Sequence, residues 1–301
     1  MDHPKKLMAV IIYALLLLIC PLLVTAETRE HPEPDVLAPD APLDENTSME
    51  DVTPLSEEEL DFRLYRRYCM KTTASAKTVY LTIDDGPDPR TTPFYLQILA
   101  EKGVKATFFM LGRQVESYPE LAWAIKAQGH TLGNHTYSHD YRYIYSNPLC
   151  YLGELQKTQE LLRQLLGEET TLTRAPGGTY GHFTLEFYRI LETHGFTTYD
   201  WNIDTQDAVI KNITANRILE NVVRQNHNRS TAVVLMHDIG KKADIEALPK
   251  VIDYYLEAGY EFQTLKLDSP VVVHKTAALE EINKKYMREN SEAGGREKGF
   301  R

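Results

Sequence analysis

The stretch VYLTIDDGPDP, residues 79 to 89, alternates β-branched and aromatic side chains and then sets two carboxylates, Asp84 and Asp85, side by side. Asp-Gly-Pro is good turn chemistry, so the run reads as a strand that ends at this cluster. A turn needs only one of the two acids. Two adjacent negative charges at the end of a buried strand require something that neutralises the second.

The same pattern recurs on both sides of that stretch. Between Lys77 and Asp268, the β-rich runs TVYLTI, ATFFML, HTLGN, TLTRA, TTYDWNI, TAVVLM and YEFQTL alternate with amphipathic stretches such as 148–166, 183–195 and 243–258. Glycines 103, 129, 195 and 259 close the helices. Strands alternating with helices predict an α/β fold on a parallel sheet, either a barrel or an open doubly wound sheet.

Ionisable residues follow five of these runs. They are Asp84 and Asp85, His135 and His139 in GNHTYSHD, Arg174 in TRAPGG, Asp204 and Asp207 in WNIDTQDA, and His237 in LMHD. In a β/α barrel the carboxyl ends of all strands converge on one face, so residues far apart in sequence can meet there. The absence of a Gly-rich phosphate loop and of a Gly-x-Ser-x-Gly elbow argues against nucleotide binding and serine-hydrolase chemistry.

His135 and His139 are four apart, so a helical turn after the strand would put both imidazoles on one side. Two His and one carboxylate make an open site for a divalent ion. One of the Asp pair would bind the metal, and the other would stand beside it as base for the metal's water. Arg174, just before a Pro-Gly-Gly turn, can hold and orient a carboxylate in its fork. His237, at the end of an apolar run, reads as a general acid tuned by Asp207 or Asp238, with Asp238 expected to cap the following turn. His130, His182, His194 and His227 have no such context and read as structural or exposed.

The ends of the chain read differently. Lys5 and Lys6 precede an apolar run from Leu7 to Val24, and VTA ends at Ala26, which is the pattern of an export signal; at about 18 residues the run could also remain as a membrane anchor. Residues 27–75 are acidic and Pro-rich and read as a disordered linker with a short helix near 56–67. Residues 269–301 form a charged tail. The net charge of -10 argues against nucleic acid as a partner, and the membrane would be met only through an uncleaved N-terminal segment. Cys69 and Cys150 could pair outside the cell.

The segments LTIDDGPDP, GHTLGNHTYSH, RAPGG, DWNIDTQDA and VVLMHD resemble, in order and approximate spacing, the five motifs of the polysaccharide deacetylases, the carbohydrate esterase family 4 or NodB-homology domain. The resemblance covers about residues 76–268. It implies a distorted (β/α)7 barrel and a hydrolase that removes acetyl groups from N-acetylated sugars with a divalent metal, often zinc, with cobalt, manganese or nickel as alternatives. By the same resemblance Asp84 is the catalytic base, Asp85, His135 and His139 are metal ligands, Arg174 orients the base, and His237 is the acid assisted by Asp207. Pro176, Gly177, Trp201 and Leu235 would then line the substrate and oxyanion site, with the Gly177 N–H helping to hold the oxyanion.

Two departures concern the groove. Ala208 stands where many members have a Trp, with Trp201 nearby as a substitute, and Gly177 stands where members often carry an aromatic residue, which leaves the groove more open there. The expected substrate is an exported or wall polymer, with the N-acetylglucosamine of peptidoglycan first, and chitin oligomers or an exopolysaccharide next. A metal-bearing carbohydrate-binding protein without catalysis would be expected to lack the base or the acid, and both are present.

Overall fold

The computed structural model describes residues 55–70, 76–227 and 229–297, with side chains as far as residue 288. The expected export segment and most of the expected linker lie outside the described residues.

In chain order the catalytic core runs β1 (Thr78–Asp84), α2 (Thr92–Lys102), β2 (Thr107–Met110), α3 (Gly112–Ser117), α4 (Pro119–Ala127), β3 (Thr131–Asn134), α5 (Tyr141–Ile144), α6 (Pro148–Leu166) and β4 (Leu172–Thr173). It continues through α7 (Leu185–Thr193), β5 (Thr197–Thr198), β6 (Ile203–Asp204), α8 (Ala215–Asn226), β7 (Thr231–His237), α9 (Lys242–Glu257) and β8 (Glu261–Gln263). A helix α1 (Glu57–Leu64) precedes this core, and α10 (Ala277–Glu297) follows it.

The opening stretch is the central strand. All seven residues of β1 are buried, as expected for a parallel strand covered on both faces. Along one edge β7 pairs with its whole length, from Thr78 opposite Thr231 to Asp84 opposite His237. The other edge is shared, with β8 beside Thr78–Tyr80 and β2 beside Thr82–Asp84. The sheet order is β5-β4-β3-β2-β1-β7-β6, and the ladders are parallel.

The strand alternation separates two cores. Val79, Leu81 and Ile83 turn outward with Val234 and Met236 and pack on α2, α8 and α9. Tyr80 turns inward onto Phe109, Leu172, Tyr199, Val233 and Leu265, which fill the curl of the sheet. Thr82 and Asp84 share the inward phase, so the first carboxylate points into the mouth.

One expected strand divides. TTYDWNI becomes β5 and β6, which lie at opposite ends of the sheet order, and no ladder joins them among the described residues. The distorted barrel is therefore a curled parallel sheet left open at 199–202. Other groups satisfy the backbone there. Arg174 donates from Nε to the Tyr199 carbonyl at 2.9 Å and from Nη2 to that of Asp200 at 3.0 Å. The Val272 carbonyl accepts the Asp200 N–H at 2.7 Å, and Val271 and Val272 pack on the inner cluster.

The short helix expected near 56–67 is present, but it packs onto the core and is not part of a disordered linker. Ser56 and Glu59 form a reciprocal capping box for α1, which runs into a π-helical turn at Tyr65–Cys69. Leu64 and Tyr65 share one cluster with Phe187 and Leu191 of α7 and with Leu279, Ile282 and Tyr286 of α10. Arg189 of α7 closes on Asp61 at 2.9 Å. Two charged segments far apart in the chain thus bury an apolar face that neither could bury alone. Cys69 and Cys150 are both free, and the Cys69 Sγ donates to the Leu279 carbonyl at 3.6 Å.

Candidate active site

Asp84 is buried at the end of β1 and is held from the side. The Arg174 Nη1 donates to its Oδ1 at 2.9 Å and to the Thr82 hydroxyl at 2.6 Å. Arg174 is wholly buried, yet with the two carbonyls at the barrel break all three of its guanidinium nitrogens donate. Such a guanidinium cannot swing, so the carboxylate it grips is fixed in one orientation.

Strand periodicity alone would point Asp85 away from Asp84. Its backbone is left-handed instead, at φ 75°, and this turns its carboxylate back toward the mouth. A non-glycine residue held there costs about 1–3 kcal/mol and persists because its surroundings over-determine it. Both carboxylates then face one imidazole, with His135 Nε2 at 3.8 Å from Asp84 Oδ2 and 3.4 Å from Asp85 Oδ1.

The two histidines are brought together by a loop, which corrects the expected helical turn. Thr136 and His139 are left-handed, at φ 68° and 59°. The Asn134 side chain accepts the Thr136 N–H, and the buried Glu154 carboxylate accepts those of Tyr137 and Ser138 at 3.0 and 2.6 Å. His139 Nε2 reaches Asp85 Oδ1 at 3.5 Å.

This group fits a metal ion. The three ligand atoms of Asp85, His135 and His139 lie within 4.8 Å of one another. Asp85 Oδ1 is buried without a hydrogen-bond partner among the described residues, an expensive state for a carboxylate oxygen unless a cation satisfies it. His135 Nδ1 donates to the Arg174 carbonyl at 2.8 Å, which leaves Nε2 as the lone-pair nitrogen. Burial pushes the Asp85 carboxyl up, but His135, His237 and His139 together hold it well below the usual carboxylate range. Burial and the neighbouring His135 push His139 down to about 4, so it stands neutral as a ligand must.

His237 lies on the same rung as Asp84, across the β1–β7 ladder. Asp207, fully buried, accepts the His237 N–H at 2.7 Å and His237 Nδ1 at 2.6 Å. Burial pushes the imidazole down, but the Asp207 carboxylate, with Asp84 and Asp85 beyond it, raises it to about 9. Asp238 does not cap its own turn. It is buried and ties β7 to the start of α2 through the hydroxyls of Thr91 and Thr92 and the Asp88 N–H, and burial pushes it up to about 6.

The remaining predicted residues lie around this centre. Pro176 and Gly177 form a turn whose Gly177, at φ 72°, leaves its N–H without an acceptor among the described residues. The Leu235 carbonyl accepts from Thr205, and the side chain is buried in the inward phase of β7. Trp201 is half-buried, with its ring 5.8 Å from the Arg174 guanidinium. Ala208 and its neighbour Val209 are exposed, so that side of the mouth is open.

The room expected at Gly177 is filled. The hydroxyl of Tyr141 stands 2.7 Å from where a Cβ on residue 177 would lie. Sequence reasoning passed over Tyr141, and its only signal was the aromatic run YRYIY that begins two residues after the second histidine. It also passed over Tyr145, Asp200 and His274. Tyr145 donates to the Pro176 carbonyl at 2.6 Å. Asp200 accepts the N–H and hydroxyl of Thr179 and the N–H of His274, and His274 packs edge-on to Trp201 at 4.7 Å.

Comparison with known proteins agrees with this geometry. Residues 71–199 match a family model described as polysaccharide deacetylase. The chain is 38% identical over 204 residues to YheN of Bacillus subtilis, covering 66% of this chain and 70% of that one. It is 32% identical over 197 residues to a peptidoglycan-N-acetylglucosamine deacetylase of Bacillus cereus, covering 64% and 71%. The crystal structure of the catalytic domain of peptidoglycan N-acetylglucosamine deacetylase from Eubacterium rectale superposes with a TM-score of 0.61 at 28% identity, over 68% of this chain and 96% of that one. Fold, sequence and strand-end chemistry converge, and the chain belongs to the polysaccharide deacetylases of carbohydrate esterase family 4.

Proposed function

We propose that the chain is an exported enzyme that hydrolyses the acetamide of N-acetylglucosamine residues in peptidoglycan, with a zinc ion on Asp85, His135 and His139. The observation that carries the reading is the rung of Asp84 and His237. A carboxylate and a raised-pKa imidazole, each gripped by its own buried partner, stand side by side next to the ligand group. The names of the Bacillus cereus and Eubacterium rectale relatives support peptidoglycan as the polymer, and the apolar N-terminal run supports export.

Bound to its three ligands, the ion supplies a Lewis acid and an acidified water. Asp84, fixed by Arg174, takes the proton from the attacking water. The Gly177 N–H faces the oxygen on which negative charge develops. His237 holds its Nδ1 proton on Asp207 and gives its Nε2 proton to the departing sugar nitrogen as the carbon–nitrogen bond breaks. The products are acetate and a free amine.

The test is acetate release by purified residues 55–297 from peptidoglycan and from a chitin oligomer, with and without chelator. Faster release from peptidoglycan, abolished by chelator and restored by zinc, is the expected result. Preference for the chitin oligomer would move the substrate, and chelator-insensitive release would overturn the metal assignment.

A further inference from the structure

We propose that Tyr141 is a second hydrogen-bond donor to the acetyl oxygen of the bound substrate, acting beside the Gly177 N–H. The proposal rests on the deacetylase reading of this site and adds to it a residue outside the five motif segments.

Three observations carry it. First, the Tyr141 ring lies edge-on to the ligand His139, with centroids 5.2 Å apart and planes at 74°. Second, its hydroxyl lies against the Pro176–Gly177 turn, in space that exists only because residue 177 has no side chain. Third, that hydroxyl has no hydrogen-bond partner among the described residues, and the residue is 42% exposed. A phenol hydroxyl that no protein group satisfies, set against the Gly177 turn and beside His139, is free to meet a ligand, and at neutral pH it is a donor.

Its position is braced from two directions. Asp140 caps α5 by accepting the N–H groups of Arg142 and Tyr143, which sets the backbone of Tyr141 two residues after His139. Tyr145, one turn further on, ties α5 to the oxyanion turn through the Pro176 carbonyl and stacks on His182 at 4.1 Å. The two donors of the mouth, one main-chain and one phenolic, are thus held by one local framework. Preorganised donors of this kind stabilise the oxyanion because no rearrangement is needed when charge develops.

The test compares wild type with Tyr141→Phe, both zinc-loaded, in two measurements. In acetate release, the expected result is a fall in kcat of tenfold or more with KM within about twofold, below the ~100-fold of a fully enclosed oxyanion donor because this one is partly exposed. In calorimetric titration with sodium acetate, whose oxygens resemble those of the acetyl group, the expected result is about tenfold weaker binding to the Phe variant. Equal kcat and equal acetate affinity in the Phe variant would overturn the proposal, as would absence of acetate binding by wild type. Loss of activity in Tyr141→Ala with a fully active Phe variant would make the ring a wall only, and would also overturn it. Failure of the peptidoglycan reading would show differently, as no acetate release by wild type from that polymer, while the acetate titration still decides Tyr141.

Discussion

Asp84 and Asp85 are adjacent in sequence but meet different partners, because one left-handed residue changes their directions. Asp84→Asn keeps the shape and the Arg174 contact but removes the proposed base, so acetate release should fall at least ~100-fold with an unchanged circular dichroism spectrum. Arg174→Met should leave a buried carboxylate and two backbone carbonyls without their donor. The expected loss is about 3–5 kcal/mol, read as a lower urea midpoint. As the proposed acid, His237 should set the alkaline limit. With its pKa raised to about 9 it keeps its proton below that pH, so kcat should be sustained there and fall as pH rises through it. Asp207→Asn removes the strongest raising influence and should move that fall to lower pH in a pH–rate profile.

At the scale of elements, the barrel break explains why the tail matters. The segment after β8 supplies the Val272 carbonyl to Asp200, packs Val271 and Val272 onto the inner cluster, and leads into α10, which closes over α1. Ending the chain at Asp268 removes all of this, including the burial of Leu279, Ile282 and Tyr286. At roughly 1.5–3 kcal/mol for each large side chain, the shortened protein should lose on the order of 5 kcal/mol and melt well below residues 55–297 in calorimetry. An equal melting temperature would show that α10 adds nothing to the fold.

For the molecule as a whole, stability and metal binding should be linked. Asp85 Oδ1 accepts no hydrogen bond among the described residues, so zinc at 100 times its Kd should raise the unfolding free energy by about 2.7 kcal/mol, and chelator should remove that gain in a thermal melt. His135→Ala should abolish the zinc-dependent increment. The contacts described for the site come from residues 82–274, so deleting residues 1–54 should leave kcat unchanged in an acetate-release assay.

The chain's local chemistry was legible in its sequence. An alternating run marked β1 and a continuous apolar run marked β7, glycines marked helix ends, and ionisable residues at five strand ends marked the candidate site, because side-chain pattern and turn chemistry are properties of a few consecutive residues. Direction and company were not. The left-handed Asp85, the loop that pairs His135 with His139, and the break within TTYDWNI depend on backbone angles set by distant partners such as Glu154 and Arg174. Tyr141 gave no signal of its own, since its importance lies in the absence of a side chain at Gly177, 36 residues away in sequence. The helices at the two ends read as spacer and tail because each is too charged to show a buried face alone. Only tertiary structure supplies the second surface, since burial belongs to the pair of surfaces and not to either segment.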